Sequence, residues 1–518
     1  MIKIYGNTYY MTCGEACYIA KADGELMHVC FGKRIEPEDD ASLLGGSATS
    51  AYKEVDDDDI AVYRGNKRIT PRFVVGGAEI VEKTAVSVLP TLRGEETLKV
   101  TATDEAEGLE LTLFYTPYIR GGVARRAVLK NVSDKSVTLK RLSSGGAATG
   151  GGKKLDLSDG LTVVKTTVGV YGIFTLFAGD TRTSVSDGRL SSGAEICATE
   201  LKSGESFFTP ETLLVYSDNG AHGVVRAYHD IIREYGVSES RLLKRRPIVV
   251  YAPFDGGAEK NRKRMEAVAA TGADTVVFDV SCGVKKAKEL KAAADGVGIK
   301  IGIKCGVSHY DELLSVVDAC GAEYVELDCE GLKTYDDAAI AHALYLSLKD
   351  NYPDVEIDFA GSKSEGGAFD RLKRVSLSPI PPCAARYVVD SEAMPLKTAF
   401  DVASFGGLGY RFDPLELGEG ARRAVRAQIL SYQDDAETVK LGDVYDIVGG
   451  IMVVGKDKAK AYAATTGEAR FYGLDEHNLY HVREIGKTFS GVALAYYGFS
   501  ADGGETVTYH IRQVADYE

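Results

Sequence analysis

Along roughly the first 215 residues, apolar and polar side chains alternate in short runs. Leu98-Lys99-Val100-Thr101-Ala102-Thr103 and Leu109-Glu110-Leu111-Thr112-Leu113-Phe114-Tyr115 are the clearest, with Gly, Asp and Asn turns between such runs. Alternation with period two puts one face of a strand on a core and the other in water, so these runs predict an antiparallel β-sandwich. The glycine cluster from Gly145 to Gly152 reads as a turn, because it lacks the G-K-S/T ending of a phosphate loop. Ala221 to Tyr235 carries apolar residues at helical spacing and joins the sandwich to the central part of the chain.

From Arg246 the pattern changes to short apolar runs separated by helical stretches. Pro247–Tyr251, Asp274–Asp279, Lys300–Lys304, Glu323–Asp328 and Val355–Phe359 read as buried parallel strands, and Arg374–Ser378, Arg386–Asp390 and Leu408–Phe412 bring the number to eight. Eight βα repeats predict a (β/α)8, TIM-like barrel, trimmed where the sixth and seventh strands leave no room for a helix. After an amphipathic helix over Gly420–Gln433 the chain returns to alternation up to its last residue. The predicted domains are therefore a β-sandwich with linker helix at 1–240, a barrel at 241–435 and a small antiparallel β-domain at 436–518.

One predicted strand stands out chemically. Gly321-Ala322-Glu323-Tyr324-Val325-Glu326-Leu327-Asp328-Cys329-Glu330 ends in three acidic residues within five positions. Barrels keep their chemistry at the C-terminal ends of their strands. If Asp328 points inward, the same period turns Glu326 inward and sets Tyr324 deeper on that face. A solvated strand end explains the same residues, and the segment alone leaves both readings open.

Composition narrows the class. A chain of 518 residues exceeds one core, and its formal net charge of −14, without a concentrated basic patch, argues against nucleic acid and anionic membranes. Nothing approaches a membrane span, and the Met1-Ile2-Lys3-Ile4-Tyr5 start lacks the pattern of an export signal, so a cytoplasmic location is expected. Nine cysteines at irregular spacing suit reduced thiols, and no Cys or His pattern suggests a metal or other cofactor. The chain has no tryptophan but 29 tyrosines, so stacking against the apolar face of a sugar would fall to tyrosine.

Several segments, in order, resemble the α-galactosidases of glycoside hydrolase family 36. Gly24-Glu25-Leu26-Met27-His28-Val29-Cys30-Phe31-Gly32-Lys33-Arg34 is similar to G-x-L-x-H-x-Y-x-G-K-R, and Tyr324-Val325-Glu326-Leu327-Asp328 to Y-V-K-W-D. Gly366-Gly367-Ala368-Phe369-Asp370, Pro395-Leu396-Lys397-Thr398, Phe405-Gly406-Gly407-Leu408-Gly409-Tyr410-Arg411-Phe412-Asp413 and Gly442-Asp443-Val444-Tyr445 are similar to G-G-R-F-D, P-L-x-T, F-G-x-x-G-Y-E-L-D and G-D-F-Y. The resemblance implies a retaining hydrolysis by two carboxyl groups, with Asp328 as nucleophile. Its departures fall where sugar would be bound and cleaved: Val280 replaces one of an aspartate pair, Lys304 a tryptophan and Glu326 a lysine. The acid/base segment has no match, since Leu377-Ser378-Pro379-Ile380 occupies its place.

Asp390 is the acid/base candidate, and Asp255, Asp279, Lys304, Glu326 and Glu392 are substrate-binding candidates. Each also has a structural reading, as a loop cap or a strand-end carboxylate. The first functional reading is a retaining glycosidase for an α-galactoside or related, modified or charged, α-glycoside. Its rival is a catalytically silent relative that binds carbohydrate or serves in assembly. An acyl-transfer site on Ser378 lacks a placed histidine. The expected partner is a small carbohydrate, and the sequence leaves a homo-oligomer open.

Overall fold

The structure is a computed structural model. It describes residues 1–35, 52–83, 88–177, 181–186, 188–196, 198–329, 332, 334–360, 366–499 and 506–514. The chain separates into two compact units, one of residues 1–236 with 332–343 and the other of residues 237–331 with 344–518.

The first unit is built of antiparallel sheets, the largest with nine strands. Its alternating runs fold as expected. In Glu96–Asp104 the residues Leu98, Val100 and Ala102 are buried, and they face Tyr115, Leu113 and Leu111 of Leu109–Tyr118 in antiparallel register. Both rows enter one core together with Tyr18, Phe31 and Leu214. The glycine cluster is not all turn: Gly145–Ala148 is a strand pairing with Arg189–Ala194. Glycine is required there because a Cβ on Gly146 would lie 2.8 Å from the Leu190 carbonyl oxygen. The linker helix Gly220–Ile231 packs on Thr212–Ser217, and the Tyr228 hydroxyl donates to the Leu213 carbonyl at 2.8 Å. This packing is within the first unit, as is that of Tyr335 against the Phe207 ring, with centroids 4.8 Å apart.

Among its described residues the second unit holds seven parallel strands, β1 (Val249–Tyr251), β2 (Thr275–Asp279), β3 (Lys300–Gly306), β4 (Tyr324–Asp328), β5 (Glu356–Ala360), β6 (Arg386–Asp390) and β7 (Gly407–Arg411). Their order in the sheet is β5-β4-β3-β2-β1-β7-β6. Helices α1 (Ala258–Ala269), α2 (Gly283–Val297) and α3 (Tyr310–Cys320) connect the first four strands, as repeated βα units require. Seven of the eight expected strands are present, and the eighth is corrected. Arg374 to Ser376 ends helix α4 (Ala368–Ser376), whose Leu372 and Val375, three apart, enter a core with Phe405 and Ile451. Helical spacing decides the conformation there, and the described parallel strands form a curled half-barrel.

Helix α5 (Glu419–Leu441) leads into six antiparallel strands between Asp443 and Gln513. Tyr480, Val482 and Ile511 are among the residues of their core.

The curl of the parallel sheet brings its two end strands, β5 and β6, within reach of one buried ion cluster. Asp358 on β5, 2% exposed, accepts two hydrogen bonds from the Arg246 guanidinium, at 2.8 and 2.9 Å, and one from Arg386 Nε on β6 at 2.6 Å. Arg241 also pairs with it. The Arg386 guanidinium lies over the Tyr324 ring of β4, 4.8 Å from its centroid. Small residues make the space: a Cβ on Gly302 would sit 2.6 Å from Tyr324, and one on Gly407 would sit 2.5 Å from Arg246. Side chains therefore link strands that no backbone ladder joins among the described residues.

Although burial alone would raise its pKa, the Arg246, Arg241 and Arg386 guanidiniums hold the Asp358 carboxyl well below the usual carboxylate range. Removing one member of a buried ion pair commonly costs about 3–5 kcal/mol. Asp358→Asn is expected to lose stability of that order in urea unfolding at pH 7, and a loss below about 1 kcal/mol would refute the bridging role of the cluster. A depressed folded pKa contributes stability above the unfolded value of about 3.9, lost as pH falls through the folded value. The difference between wild type and variant should therefore be full at pH 5 to 7 and shrink below about pH 4.

Candidate active site

Strand β4 starts after Gly321, which adopts a left-handed conformation (φ 57°) at the C-terminal end of α3. Val325 and Leu327 are both buried on one face of β4. Tyr324, Glu326 and Asp328 share the other, and they meet side chains from β1, β3 and β5. The expected inward alternation of these three residues is thus present. Glu330 lies outside the described residues.

Lys304 on β3 is the register partner of Glu326, and Gly306 that of Asp328. The Lys304 ammonium lies 2.9 Å from Asp328 Oδ2 and 3.9 Å from Glu326 Oε1. One cation therefore serves two carboxylates. Glu326 is 6% exposed and receives a hydrogen bond from the Tyr251 hydroxyl of β1. The Tyr324 hydroxyl is 3.2 Å from Glu326 Oε2 and 3.1 Å from Asp358 Oδ2, so its single proton is divided between them. Burial pushes the Glu326 carboxyl up, against the opposing effects of the Tyr251 hydrogen bond and the Lys304 charge. Asp328, two residues nearer the strand end, is more exposed than Glu326. A Cβ on Gly306 would meet nothing within 4 Å, which leaves open space beside the strand position that pairs with Asp328.

The remaining candidates have other partners. Asp279 ends β2 in register with Lys304, and its carboxylate accepts from the Ser281 backbone N–H at 2.9 Å, a loop cap. Asp255 is 72% exposed and pairs with Arg264 of α1 at 2.7 Å, while the same guanidinium holds Asp413, beyond β7, at 2.6 Å. The Arg264 hydrogen bond draws the Asp255 carboxyl below its ordinary value. Asp390, at the end of β6, meets the Arg411 guanidinium of β7 at 3.3 Å and accepts from the Glu392 backbone N–H at 3.1 Å. The Glu392 side chain is exposed. Lys304, Glu326 and Asp328 form one cluster, while Asp255 and Asp390 belong to two others.

Sequence reasoning missed Tyr251, Arg386 and Arg411. The signal for Arg411 was available, since it ends a predicted strand and stands where the F-G-x-x-G-Y-E-L-D pattern has an acid. Arg386 opens a predicted strand, and only the curl of the sheet reveals that it reaches Asp358.

Residues 24–149 match the glycosyl hydrolase family 36 N-terminal domain. Among curated proteins, α-galactosidase AgaA of Geobacillus stearothermophilus is 35% identical over 83 residues, 15% of this chain and 11% of that protein. α-Galactosidase 1 of Pediococcus pentosaceus is 45% identical over 84 residues, 15% of this chain and 12% of that protein. The matched stretch is thus far less than two thirds of either relative. The solved galactosidase domain of the α-galactosidase-sucrose kinase AgaSK aligns with a TM-score of 0.83 over 99% of this chain and 100% of its own, at 16% identity, which speaks for a shared fold. Residues 24–149 thus match a family 36 N-terminal domain, and the chain as a whole shares the fold of the solved α-galactosidase domain.

The raised pKa of Glu326 has a measurable consequence. Between the unfolded value of about 4.3 and the raised folded value, the native state binds more protons than the unfolded one, so stability falls as pH rises. Glu326→Gln removes that titration. Its stability relative to wild type should increase from pH 4 to pH 7 in urea unfolding, and parallel curves would contradict the buried, uphill ionisation of Glu326.

Proposed function

We propose that this chain is a retaining glycoside hydrolase acting on an α-galactoside or a related α-glycoside, with Asp328 as nucleophile. The observation that carries the reading is the placement of Asp328 at the C-terminal end of β4, with open space at its register neighbour Gly306, in a chain of family 36 fold. A retaining cleavage of this kind begins with attack of a carboxylate oxygen on the anomeric carbon, which breaks the bond to the leaving oxygen and forms a glycosyl ester; water then cleaves the ester. The acid/base of the reading is Asp390. Lys304 and its register partner Asp279 are the nearer substrate-binding candidates, Asp255 and Glu392 the outer ones on strand-end loops, and Glu326 acts from beneath through Lys304 rather than by touching sugar. The α-galactosidase names of the relatives make α-galactosides the first substrates to try.

A specific observation favours the silent alternative, in which the chain binds carbohydrate without cleaving it. Both strand-end carboxylates, Asp328 and Asp390, are engaged by cations from neighbouring strands. General acid catalysis commonly contributes about 10²–10⁴-fold, and an activated aryl leaving group has little need of it. The hydrolase reading therefore predicts cleavage of an aryl α-galactoside with a good leaving group and much slower cleavage of an unactivated disaccharide. Asp328→Asn should abolish the former at matched folding by circular dichroism. Equal inactivity of both proteins across activated aryl α-glycosides, with a sugar still raising the melting temperature of each, would replace hydrolysis by binding.

A further inference from the structure

Catalysis by a carboxylate nucleophile depends on where its oxygen is held, and a strand-end aspartate with two side-chain torsions is not held by its backbone alone. The surroundings of Asp328 supply the missing constraint from below. Tyr251 on β1 and Tyr324 on β4 fix the buried Glu326 carboxylate. Glu326 stands directly across the β3–β4 ladder from Lys304. The Lys304 ammonium spans the step between layers, 3.9 Å from Glu326 and 2.9 Å from Asp328. Its side chain is 30% exposed, so the contact is made at the edge of the buried layer.

We propose that Lys304 is a positioning residue: an ammonium anchored by the buried Glu326 that fixes the direction of the Asp328 carboxylate. The proposal rests on the reading of Asp328 as nucleophile for its catalytic part, whereas the clamp itself is a property of the cluster. Because Lys304 and Glu326 are register partners on one face, either strand could carry the cation. Placing it on β3 leaves the buried position of β4 to an acid, and the pair is locked by tyrosines that could not donate a hydrogen bond to an ammonium. The arrangement distinguishes a positioning role from simple charge balance, since an ammonium floating in solvent would have no fixed direction from which to hold Asp328.

The test is a double-mutant comparison with an activity arm. Lys304→Met, Lys304→Arg, Asp328→Asn and Lys304→Met/Asp328→Asn are compared by melting temperature and by turnover of an activated aryl α-galactoside. The proposal expects Lys304→Met to shift the melting temperature by several degrees less in the Asp328→Asn background than in wild type. It also expects at least a tenfold lower kcat for Lys304→Met with KM within about threefold, and recovery of most of the lost kcat in Lys304→Arg. Additive melting shifts, or a Lys304→Met kcat within twofold of wild type, would overturn it. If wild type turns over no substrate, coupled melting shifts uphold the clamp while the nucleophile reading fails, and additive shifts overturn the clamp as well.

Discussion

The second unit depends on burying charge in the interior of a curled parallel sheet. Among the described residues, the sheet has seven strands and its two end strands, β5 and β6, are joined by no backbone ladder. Here Asp358 on one end strand and Arg386 on the other meet directly, with Arg246 and Arg241 completing the coordination of a single carboxylate. Such a cluster is costly to desolvate and tolerable only when its hydrogen bonds are nearly complete. The tyrosine ring beneath Arg386 and the glycines at 302 and 407 show how much of the local sequence serves that condition.

From this layer the polar network climbs toward the strand ends. Tyr324 touches both Asp358 and Glu326, and Lys304 links Glu326 to Asp328. The bridge between the two end strands and the Lys304 contact to Asp328 are thus successive steps of one network. A change at the lower layer would reach Asp328 through Tyr324, Glu326 and Lys304, without touching anything bound at the strand ends.

Much of this was legible in the sequence because buried parallel strands are short apolar runs between helical stretches. Tyr324, Glu326 and Asp328 could be set on one face by period alone. The likeness to family 36 was legible from motifs, the first of which, Gly24 to Arg34, lies within the matched residues 24–149. The region around Arg374 was misread because Val375 and Leu377 imitate a strand, whereas Leu372 and Val375 bury a helical face. Nor does local pattern reveal that the Asp255 carboxylate turns to Arg264, or that Arg411 engages Asp390. Those pairings arise from the packing of strand-end loops and neighbouring strands, where charge and geometry, rather than hydrophobic period, choose the partner.

The central claim is that the Asp328 carboxylate attacks an anomeric carbon. Its most direct measurement uses a fluorinated α-galactosyl fluoride, in which fluorine near the reacting carbon slows both steps while the good leaving group lets the first proceed. The account predicts a mass increase of one fluorosugar per chain, located by peptide mass spectrometry on Asp328. An adduct on another carboxylate, or no adduct although an activated aryl α-galactoside is being hydrolysed, would contradict it.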